Sequence, residues 1–407
     1  MHILVKSLAI LAVTGYAVRA LEGCDGVRND NPVLDIPPKL LKTVKNGVSW
    51  LMKNDSNIVY IAKIKGTPYE MGKAYGELFA EELKTQFGNI DVLYPAIMQD
   101  LLPQFNISSE IADLLDDDQL MQIANIAMDL NWKIASPFIP DRFVDEIAGI
   151  SAGSGIDESI IRRANMLPEM TKAHCTVVGS WNDASKDNRL LHLRALDWEA
   201  FAPINQYPAI ILYEPTEAGS KPFANIGYLG LIGTLTSMSK IGISAGEKVM
   251  VPNDVPIYPI PPETTYVGKP WMFVLRDTVQ FSNNIVDVYN NLAGASRTAM
   301  IHGGWASAPD NTFRGMDYAA NWLYLYDDKN YTQYNPTTHP QLSGVFFLDR
   351  HTQPSLSDTC LGTILSSQHG NITAETLYRD VAGLHATGDN NYVVMDPVSQ
   401  EIWTGWS

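Results

Sequence analysis

The spacing of apolar positions along the chain predicts a helical first part. Apolar residues recur with helical spacing from Ile111 to Ile134 and from Arg142 to Ile150, as expected for helices with one buried face. Leu40 to Met52 is amphipathic, and Ile58 to Lys65 alternates between apolar and polar positions as a strand does. Residues 21–174 are therefore expected to be largely helical.

The pattern changes to short strands from Cys175 onward. Cys175 to Ser180 and Arg189 to Leu196 are predicted strands, and the turn-rich segment 182–188 between them predicts a hairpin. Short strands punctuated by glycine, with a few helices between them, continue to the end of the chain. The prediction is an α+β fold with a mostly antiparallel sheet, in which 175–407 forms the strand-rich unit.

Composition narrows the classes of function. With 407 residues and 45% hydrophobic content the chain can bury a large core. A net charge of -16 without a basic run argues against nucleic-acid binding, which needs clustered Lys and Arg to neutralise phosphates. The acidic balance suits an acidic compartment, where carboxylates repel one another less.

Residues 1–20 resemble a secretory signal peptide. Lys6 precedes an apolar run from Leu8 to Val18, and Ala20 supplies a small residue before the expected cut. The run is too short to span a bilayer, and no other segment approaches that length, so no transmembrane segment is expected. A secreted or lysosomal protein would be glycosylated at Asn-X-Ser/Thr sites. Four such sites occur, at Asn54, Asn106, Asn330 and Asn371.

Three cysteines leave an odd one in a secreted protein. The economical assignment is a disulfide between Cys24 and Cys360, with Cys175 free and reactive. In an oxidising compartment this is favoured over three unpaired buried thiols.

Other catalytic motifs are weak or missing in the sequence. Two matches to G-x-S-x-G, centred on Ser151 and Ser244, lack the strand before and the helix after that a serine nucleophile needs. No zinc-binding spacing, phosphate loop or dinucleotide fingerprint occurs, so no metal and no cofactor is expected. His174, His339, His351 and His385 are available as polar neighbours of a site.

Cys175 is the strongest candidate nucleophile. An N-terminal cysteine carries both the attacking thiol and an α-amino group that can act as the base. Such a residue must first be released, and the same thiol can do this by attacking the carbonyl of His174. The hairpin partner returns a cation, Arg194, and a carboxylate, Asp197, towards Cys175.

These residues resemble the acid ceramidase and N-acylethanolamine acid amidase family of N-terminal-nucleophile hydrolases. The resemblance rests on Cys175-Thr176, on the Arg-X-X-Asp return of the hairpin and on the stretch from Val345 to Arg350. The glycine-rich segments 66–76 and 149–155 also resemble penicillin acyltransferase-like and amoebal Dcd1-type proteins. The resemblance implies an αββα N-terminal-nucleophile hydrolase sandwich with a helical α-subunit.

The resemblance also implies roles for individual residues. Cys175 matches the nucleophile, Arg194 the cation that orients it, and Asp197 the carboxylate that holds the freed amino group. Asn335 matches an oxyanion-hole amide. Arg350 and Glu247 match a further cation and a carboxylate that pairs with the cations of the site. The pairing of Cys24 with Cys360 resembles the bridge between the subunits of acid ceramidase. Ala195, where the family has Asn, and a longer hairpin loop depart from the family pattern.

The resemblance therefore implies a precursor that cleaves itself between His174 and Cys175 into an α chain, 21–174, and a catalytic β chain, 175–407. The expected reaction is hydrolysis of the linear amide bond of an N-acylated lipid or amine, with a lipid-presenting activator as a possible partner. Two alternatives stay open: acyl transfer to an amine, and a secreted binding protein on a catalytically inactive scaffold.

Overall fold

The computed structural model describes residues 4–9, 23–54, 57–88, 115–170, 174–198, 203–250, 260–331, 336–351 and 357–406. The predicted residues Asn106 and Asn335 lie outside these ranges, as does most of the expected signal peptide. Within the described ranges, no helix is long and apolar enough to cross a membrane.

The strands of the described residues are β1 (Leu4–Ala9), β2 (Lys39–Val44), β3 (Gly47–Lys53), β4 (Ile58–Gly66), β5 (His174–Ser180), β6 (Leu191–Asp197), β7 (Pro208–Pro215), β8 (Phe223–Tyr228), β9 (Thr236–Ser239), β10 (Ile243–Val249), β11 (Ile301–Ser307), β12 (Thr312–Tyr318), β13 (Leu323–Tyr326), β14 (Val345–Leu348), β15 (Asn391–Asp396) and β16 (Glu401–Trp406). The α-helices are α1 (Pro68–Leu78), α2 (Ala80–Gly88), α3 (Asp117–Ala135), α4 (Asp141–Ser154), α5 (Glu158–Met170), α6 (Trp271–Phe281), α7 (Ile285–Ala293) and α8 (Cys360–Gln368). A π-helical turn, Thr376–Val381, continues into a last helical turn, Ala382–Leu384.

These strands form two sheets. The smaller sheet has the order β1-β16-β15-β6-β5-β14, and the larger has the order β13-β12-β11-β10-β9-β8-β7-β4-β3-β2. Strand pairing is antiparallel except where β4 lies parallel to β7 and β1 parallel to β16. The mostly antiparallel sheet predicted from the sequence is therefore confirmed.

Glycines allow the two sheets to pack closely face to face. A Cβ added at Gly246 or Gly304 of the larger sheet would come within 3 Å of Arg194 or Val177 of the smaller sheet. The same holds for Gly179 against Phe313 of the opposite sheet. A side chain at these positions would force the layers apart, so the contact requires glycine.

Helices cover the two outer faces. α1 packs on β3 and β4, and α6 packs on β9 and β10. On the smaller sheet, Val178 and Leu193 share a buried cluster with Leu361 of α8 and Leu377 of the π-helical turn. The chain is therefore an α+β protein with an αββα sandwich, as predicted.

Helices α1 and α4 cross with their backbones in close contact. A Cβ at Gly72 would lie 2.1 Å from the carbonyl oxygen of Glu146, and one at Gly149 would lie 2.3 Å from that of Tyr69. Such contacts leave room for no side chain larger than hydrogen. The glycine-rich segments singled out in the sequence are thus the seam between two helices.

Both G-x-S-x-G matches lie in regular structure. Ser151 lies inside α4 and its hydroxyl donates to the carbonyl of Ile156 at 2.6 Å. Ser244 lies inside β10 and its hydroxyl is 2.8 Å from Nδ1 of His192. Neither serine sits at a strand-to-helix turn, in agreement with the sequence argument against a serine nucleophile.

The first part of the chain is less helical than the sequence indicated. Residues 39–53, within and around the amphipathic segment, form β2 and β3 and join the larger sheet through β4. β2 is an edge strand and most of its residues are exposed. Because β2 has one neighbouring strand and buries little surface, its sequence lacks the alternation of apolar and polar residues that marks a half-buried strand.

Candidate active site

The predicted hairpin is present and sets the register of the site. β5 and β6 pair so that His174 faces Asp197, Cys175 faces Leu196 and Val177 faces Arg194. Two 3-10 turns, Asn182–Ala184 and Lys186–Asn188, connect the strands. The bond predicted to break, between His174 and Cys175, therefore lies at the first pairs of a fully formed ladder.

Cys175 lies against Arg194 in the space between the sheets. The Sγ of Cys175 is 3.5 Å from Nη2 of Arg194 and is fully buried. The cysteine is free, as the cysteine count predicted. A guanidinium at this distance favours the thiolate over the thiol.

Glu247 fixes the guanidinium. The carboxylate of Glu247 forms an ion pair with Nη2 of Arg194, and its backbone carbonyl accepts from Nε at 3.1 Å. Both side chains are buried. Glu247 lies within β10. Two separate acceptors leave the arginine one orientation, with Nη2 directed at the thiol.

Burial dominates the acid-base state of the uncleaved site. Burial raises the pKa of the Cys175 thiol to about 12, the charge of Arg194 opposes this rise, and Glu247 and Asp197 add to it. Burial also raises the pKa of Glu247, and Arg194 opposes that shift. The thiol is therefore protonated at neutral pH in this closed form.

Asp197 is held by the segment that follows the last helical turn. Its carboxylate accepts from the hydroxyl of Thr387 at 2.6 Å and from the backbone N–H groups of Gly388 and Asp389 at 2.5 and 3.3 Å. The hydroxyl of Thr387 also lies 2.8 Å from that of Thr176, the residue after Cys175. The carboxylate is thus fixed beside the start of β5.

Arg350 contacts this same segment from its other side. Its guanidinium donates to the carbonyl of Ala386 at 2.9 Å and pairs with Asp25 at 2.5 Å. Its backbone N–H donates to Nε2 of His385 at 3.2 Å. Arg350 therefore supports the segment that holds Asp197, and its described contacts do not include Cys175.

The disulfide between Cys24 and Cys360 is present, with the two Cα atoms 4.8 Å apart. The one cysteine precedes the predicted cleavage point and the other follows it, so the bond links the two parts of the chain covalently. Nearby, Asp358 accepts from Nε2 of His351 at 2.7 Å.

The remaining predicted residues lie apart from the thiol or beyond the described ranges. His339 stacks on Phe347 and its Nε2 lies 2.6 Å from the carbonyl oxygen of that residue, which is a structural contact. Asn330 and Asn371 are exposed and Asn54 is half-buried. In the parts of the chain that the structure describes, no group of three His, Cys, Asp or Glu side chains could hold a metal ion.

Sequence reasoning missed two buried groups near the site. Lys248 is fully buried in β10, and His302 of β11 lies 2.6 Å from Asp317 of β12 through Nδ1. A lysine beside a glutamate predicts an exposed pair, so the sequence carried little signal. The alternation of Ser244, Gly246 and Lys248 on one strand face is the pattern that could have found it.

The site is closed in this structure. Cys175 is 0%, Arg194 1% and Glu247 2% exposed, so solvent does not reach these side chains.

The sequence is similar to known proteins over most of its length. No family model matches the sequence. Protein dcd1A of Dictyostelium discoideum is 28% identical over 414 residues, covering 98% of this chain and 90% of dcd1A. The solved N-acylethanolamine-hydrolyzing acid amidase ortholog of Caenorhabditis elegans overlaps 55% of this chain and 93% of its own, at 12% identity and a TM-score of 0.38. That overlap is too weak to carry an argument about activity.

Protein dcd1B of Dictyostelium discoideum is 31% identical over 375 residues, which cover 90% of this chain and 71% of dcd1B. The Dcd1-type resemblance seen in the glycine-rich segments therefore extends along most of both chains. The chain belongs to the family of the Dcd1 proteins.

Proposed function

We propose that this protein is a self-processing cysteine amide hydrolase that acts on N-acylated lipids or amines. The observation that carries the proposal is the buried thiol of Cys175, 3.5 Å from an arginine that Glu247 fixes, at the start of a strand whose first residue pairs with Asp197. The sequence resemblance to the acid ceramidase and N-acylethanolamine acid amidase family supplies the substrate class.

The first step is cleavage before Cys175. The thiol attacks the carbonyl carbon of His174, the bond from that carbon to the nitrogen of Cys175 breaks, and the thiol proton passes to the nitrogen. The product is a thioester on Cys175 and a free α-amino group. Water then hydrolyses the thioester, leaving a carboxylate on His174 and restoring the thiol.

In this proposal Asp197 orients the α-amino group that cleavage frees on Cys175. In the ladder Asp197 faces His174, one residue before the new N-terminus. Its carboxylate is already fixed by Thr387 and Gly388 before any cleavage. A carboxylate prepared in this way can orient an amino group without reorganising, which is the advantage of a preformed site.

Turnover then follows the same chemistry on a substrate amide. The Cys175 thiolate attacks the amide carbonyl, the carbon-nitrogen bond breaks, and the α-ammonium group gives a proton to the departing amine. Water resolves the acyl thioester and releases the carboxylic acid. In this proposal Asn335 and a backbone N–H hold the oxyanion, and Arg194 keeps the thiolate in place.

Cleavage would also open the site. In the uncleaved chain Cys175 is fully buried and its thiol pKa is raised to about 12 by that burial. A new chain end at Cys175 lets the segment before it move away from the thiol. Solvent and Arg194 then both favour the thiolate, so activity should depend on processing.

Entry into the secretory pathway and delivery to an acidic compartment are part of the proposal. The apolar run near the N-terminus, the four glycosylation sites and the disulfide support it. A lipid-presenting activator is a possible partner for a lipid substrate.

Processing is tested on purified full-length protein. Under reducing conditions two bands are expected, the larger with the N-terminal sequence Cys-Thr-Val-Val, and under non-reducing conditions one band. The Cys175→Ala variant should remain a single chain. Wild-type protein that stays uncut during incubation at acid pH would contradict the mechanism.

Substrate class is tested with a panel of fluorescent ceramides and N-acylethanolamines. The expected result is release of fatty acid by wild type and not by Cys175→Ala, with an acyl thioester trapped on Cys175. Added amine separates hydrolysis from acyl transfer, because a transferase would form a new amide. Equal inactivity of both proteins would favour a binding protein.

A further inference from the structure

Lys248 is a buried cation to which no described residue accepts a hydrogen bond. The residue is 0% exposed, and among the described residues no acceptor lies within hydrogen-bond distance of its Nζ. A buried ammonium that lacks an acceptor costs the fold stability. Its presence in the middle of the sandwich therefore needs an explanation other than folding.

The strand registers place Lys248 over Cys175. Along β10 and β6, Ser244 bonds to His192 and Gly246 packs on Arg194, so the two strands advance together across the space between the sheets. The next position on β10 is Lys248, and the next on β6 is Leu196.

Leu196 is the residue that faces Cys175 in the β5–β6 ladder. A second contact also places Lys248 over Cys175. Gly304 of β11, which pairs with Gly246, packs on Val177, so the next inward pair, His302 with Lys248, lies over the pair that contains Cys175.

Lys248 acts on the buried carboxylates of Glu247 and Asp349 through its charge, but each of the described carboxylates around the thiol makes its hydrogen bonds elsewhere. Arg194 and Glu247 form an ion pair, and His302 bonds to Asp317. The more remote carboxylates are Asp197, which Thr387 and Gly388 hold, and Asp349, which accepts from the backbone of His351. The charge of Lys248 lowers the pKa of both Cys175 and Asp349 against the effect of burial.

We propose that Lys248 is a positioning residue of the Cys175 reaction, whose ammonium supplies the positive field that holds the cysteine thiolate. This inference rests on the proposed function, in which that thiolate attacks the His174 carbonyl and then the substrate. Arg194 orients the sulfur, while Lys248 contributes a charge that no carboxylate among the described residues binds through a hydrogen bond.

The proposal predicts opposite effects on stability and reaction. Lys248→Met keeps the length of the side chain and removes the unpaired charge, so its thermal midpoint should be equal to or above that of wild type. The same change should raise the thiol pKa and slow attack. A lysine with a purely structural role would show the reverse, a lower midpoint with an unchanged pH profile.

The test measures two rates against pH in the full-length protein. One is cleavage before Cys175, followed by intact mass under reducing conditions, and the other is alkylation of the new N-terminal cysteine by iodoacetamide. One nearby opposite charge shifts a pKa by about 1 unit or more, so Lys248→Met should be about tenfold slower at pH 6. Its rates should approach those of wild type as the pH rises.

Two further variants complete the experiment. Lys248→Arg keeps the charge and should retain the wild-type pH profile. Ser244→Ala is the matched control, because Ser244 lies four residues earlier on the same face of β10 and carries no charge. Its profile should be that of wild type.

A failure of the proposed function and a failure of this inference would give different results. A wild-type protein that neither cleaves nor reacts with iodoacetamide would overturn the proposed function, and this inference with it. If wild type cleaves but Lys248→Met shows the wild-type profile or a lower thermal midpoint, the role of Lys248 alone is overturned. The same follows if Lys248→Arg is as slow as Lys248→Met.

Discussion

At the scale of single residues, burial and the charge of Arg194 act in opposite directions on the thiol of Cys175. Burial holds the thiol protonated, and the guanidinium at 3.5 Å opposes that effect. Glu247 binds Arg194 through both its carboxylate and its backbone carbonyl. In the proposed mechanism, the reactivity of the cysteine therefore depends on the geometry of the arginine as much as on its charge.

Replacing Arg194 by Lys should slow cleavage before Cys175 on the order of a hundredfold, the effect of losing one oriented donor at a reacting centre. A lysine lacks the planar fork of the guanidinium, so its ammonium cannot bind the carboxylate and the carbonyl of Glu247 and face Sγ in one fixed geometry. The measurement is the fraction of cleaved chain against time, by mass under reducing conditions.

Arg189→Lys is the matched control, because Arg189 lies just before β6 and pairs with Asp396 and Glu401 away from the thiol. Cleavage of this variant should match wild type. A cleaved fraction equal in Arg194→Lys and wild type would show that charge alone is sufficient.

Sequence alone identified the site residues that lie on one hairpin and missed those that approach through the packing of distant elements. Cys175, Arg194 and Asp197 lie on one hairpin, where a period of two and a short turn make neighbours predictable. Lys248 and Thr387 come close through packing of the two sheets and through a loop, and no local pattern encodes such contacts.

At the scale of secondary structure elements, the seam between α1 and α4 is the most demanding contact in the first part of the chain. Gly149→Ala should destabilise the protein by about 1–3 kcal/mol, because the added Cβ meets the carbonyl oxygen of Tyr69 at 2.3 Å. Chemical unfolding followed by circular dichroism gives the free energy.

Gly88→Ala, at the end of α2, is the control for helix propensity. A Cβ there meets no atom within 4 Å, so this change should be neutral or stabilise the protein by up to about 1 kcal/mol. Equal unfolding free energies for the two variants would argue against a tight helix seam.

Glu169 joins α5 to α6 and gives the fold a pH dependence. Its carboxylate accepts from the backbone N–H of Trp271 at 3.0 Å, and the indole of Trp271 donates to the carbonyl of Pro168 at 3.2 Å. Burial raises the pKa of Glu169 from 4.5 to about 7. The folded state therefore binds a proton that the unfolded state releases between these values, so stability falls as the pH rises from about 4.5 to about 7.

Glu169→Gln keeps the bond to Trp271 and removes the titration. Its thermal midpoint should fall less than that of wild type between pH 5 and pH 8, and should exceed the wild-type value at pH 8. Glu158→Gln, at a half-buried position on the same helix, serves as control and should follow wild type. Parallel midpoint curves for wild type and Glu169→Gln would contradict the assignment.

The elements themselves were predictable to an unequal degree. The strands β5 and β6 follow their hydrophobic periods, and the sequence located them. β2 and β3 were missed because an edge strand such as β2 buries little and its side chains show no alternation.

At the scale of the whole molecule, the proposed cleavage point does not coincide with a boundary in the structure. β4, which precedes it, lies parallel to β7, which follows it, inside the ten-stranded sheet, with β3 and β2 beyond β4 at one edge. The αββα sandwich came from the resemblance and not from periodicity, because local patterns do not specify that distant residues such as Tyr60 and Ala209 pair in one sheet. Both parts of the chain are needed to complete the larger sheet.

This shared sheet predicts how the cleaved protein behaves when its disulfide is removed. The cleaved Cys24→Ser, Cys360→Ser double variant should elute as one species under native conditions, because β4 and β7 hold the parts together. After unfolding in guanidinium and dilution, it should recover far less native protein than wild type, whose two chains stay linked.

Gel filtration and the recovered circular dichroism signal measure both expectations. The uncleaved Cys175→Ala protein with the same two serines is the control, because its single chain should refold. Recovery of the cleaved double variant to the wild-type level would show that the two parts recognise each other without the covalent link.

The contact between Gly246 and Arg194 limits how relatives of this protein can vary. A Cβ at 246 would lie 2.8 Å from the Cβ and Cγ of Arg194 and 2.9 Å from Nε2 of His192. Positions 194 and 246 should therefore covary in an alignment of homologues, with glycine at 246 wherever arginine stands at 194. A G-x-S-x-G match would then follow the arginine of a cysteine site, and a search for serine hydrolases by that motif would collect these chains for the wrong reason.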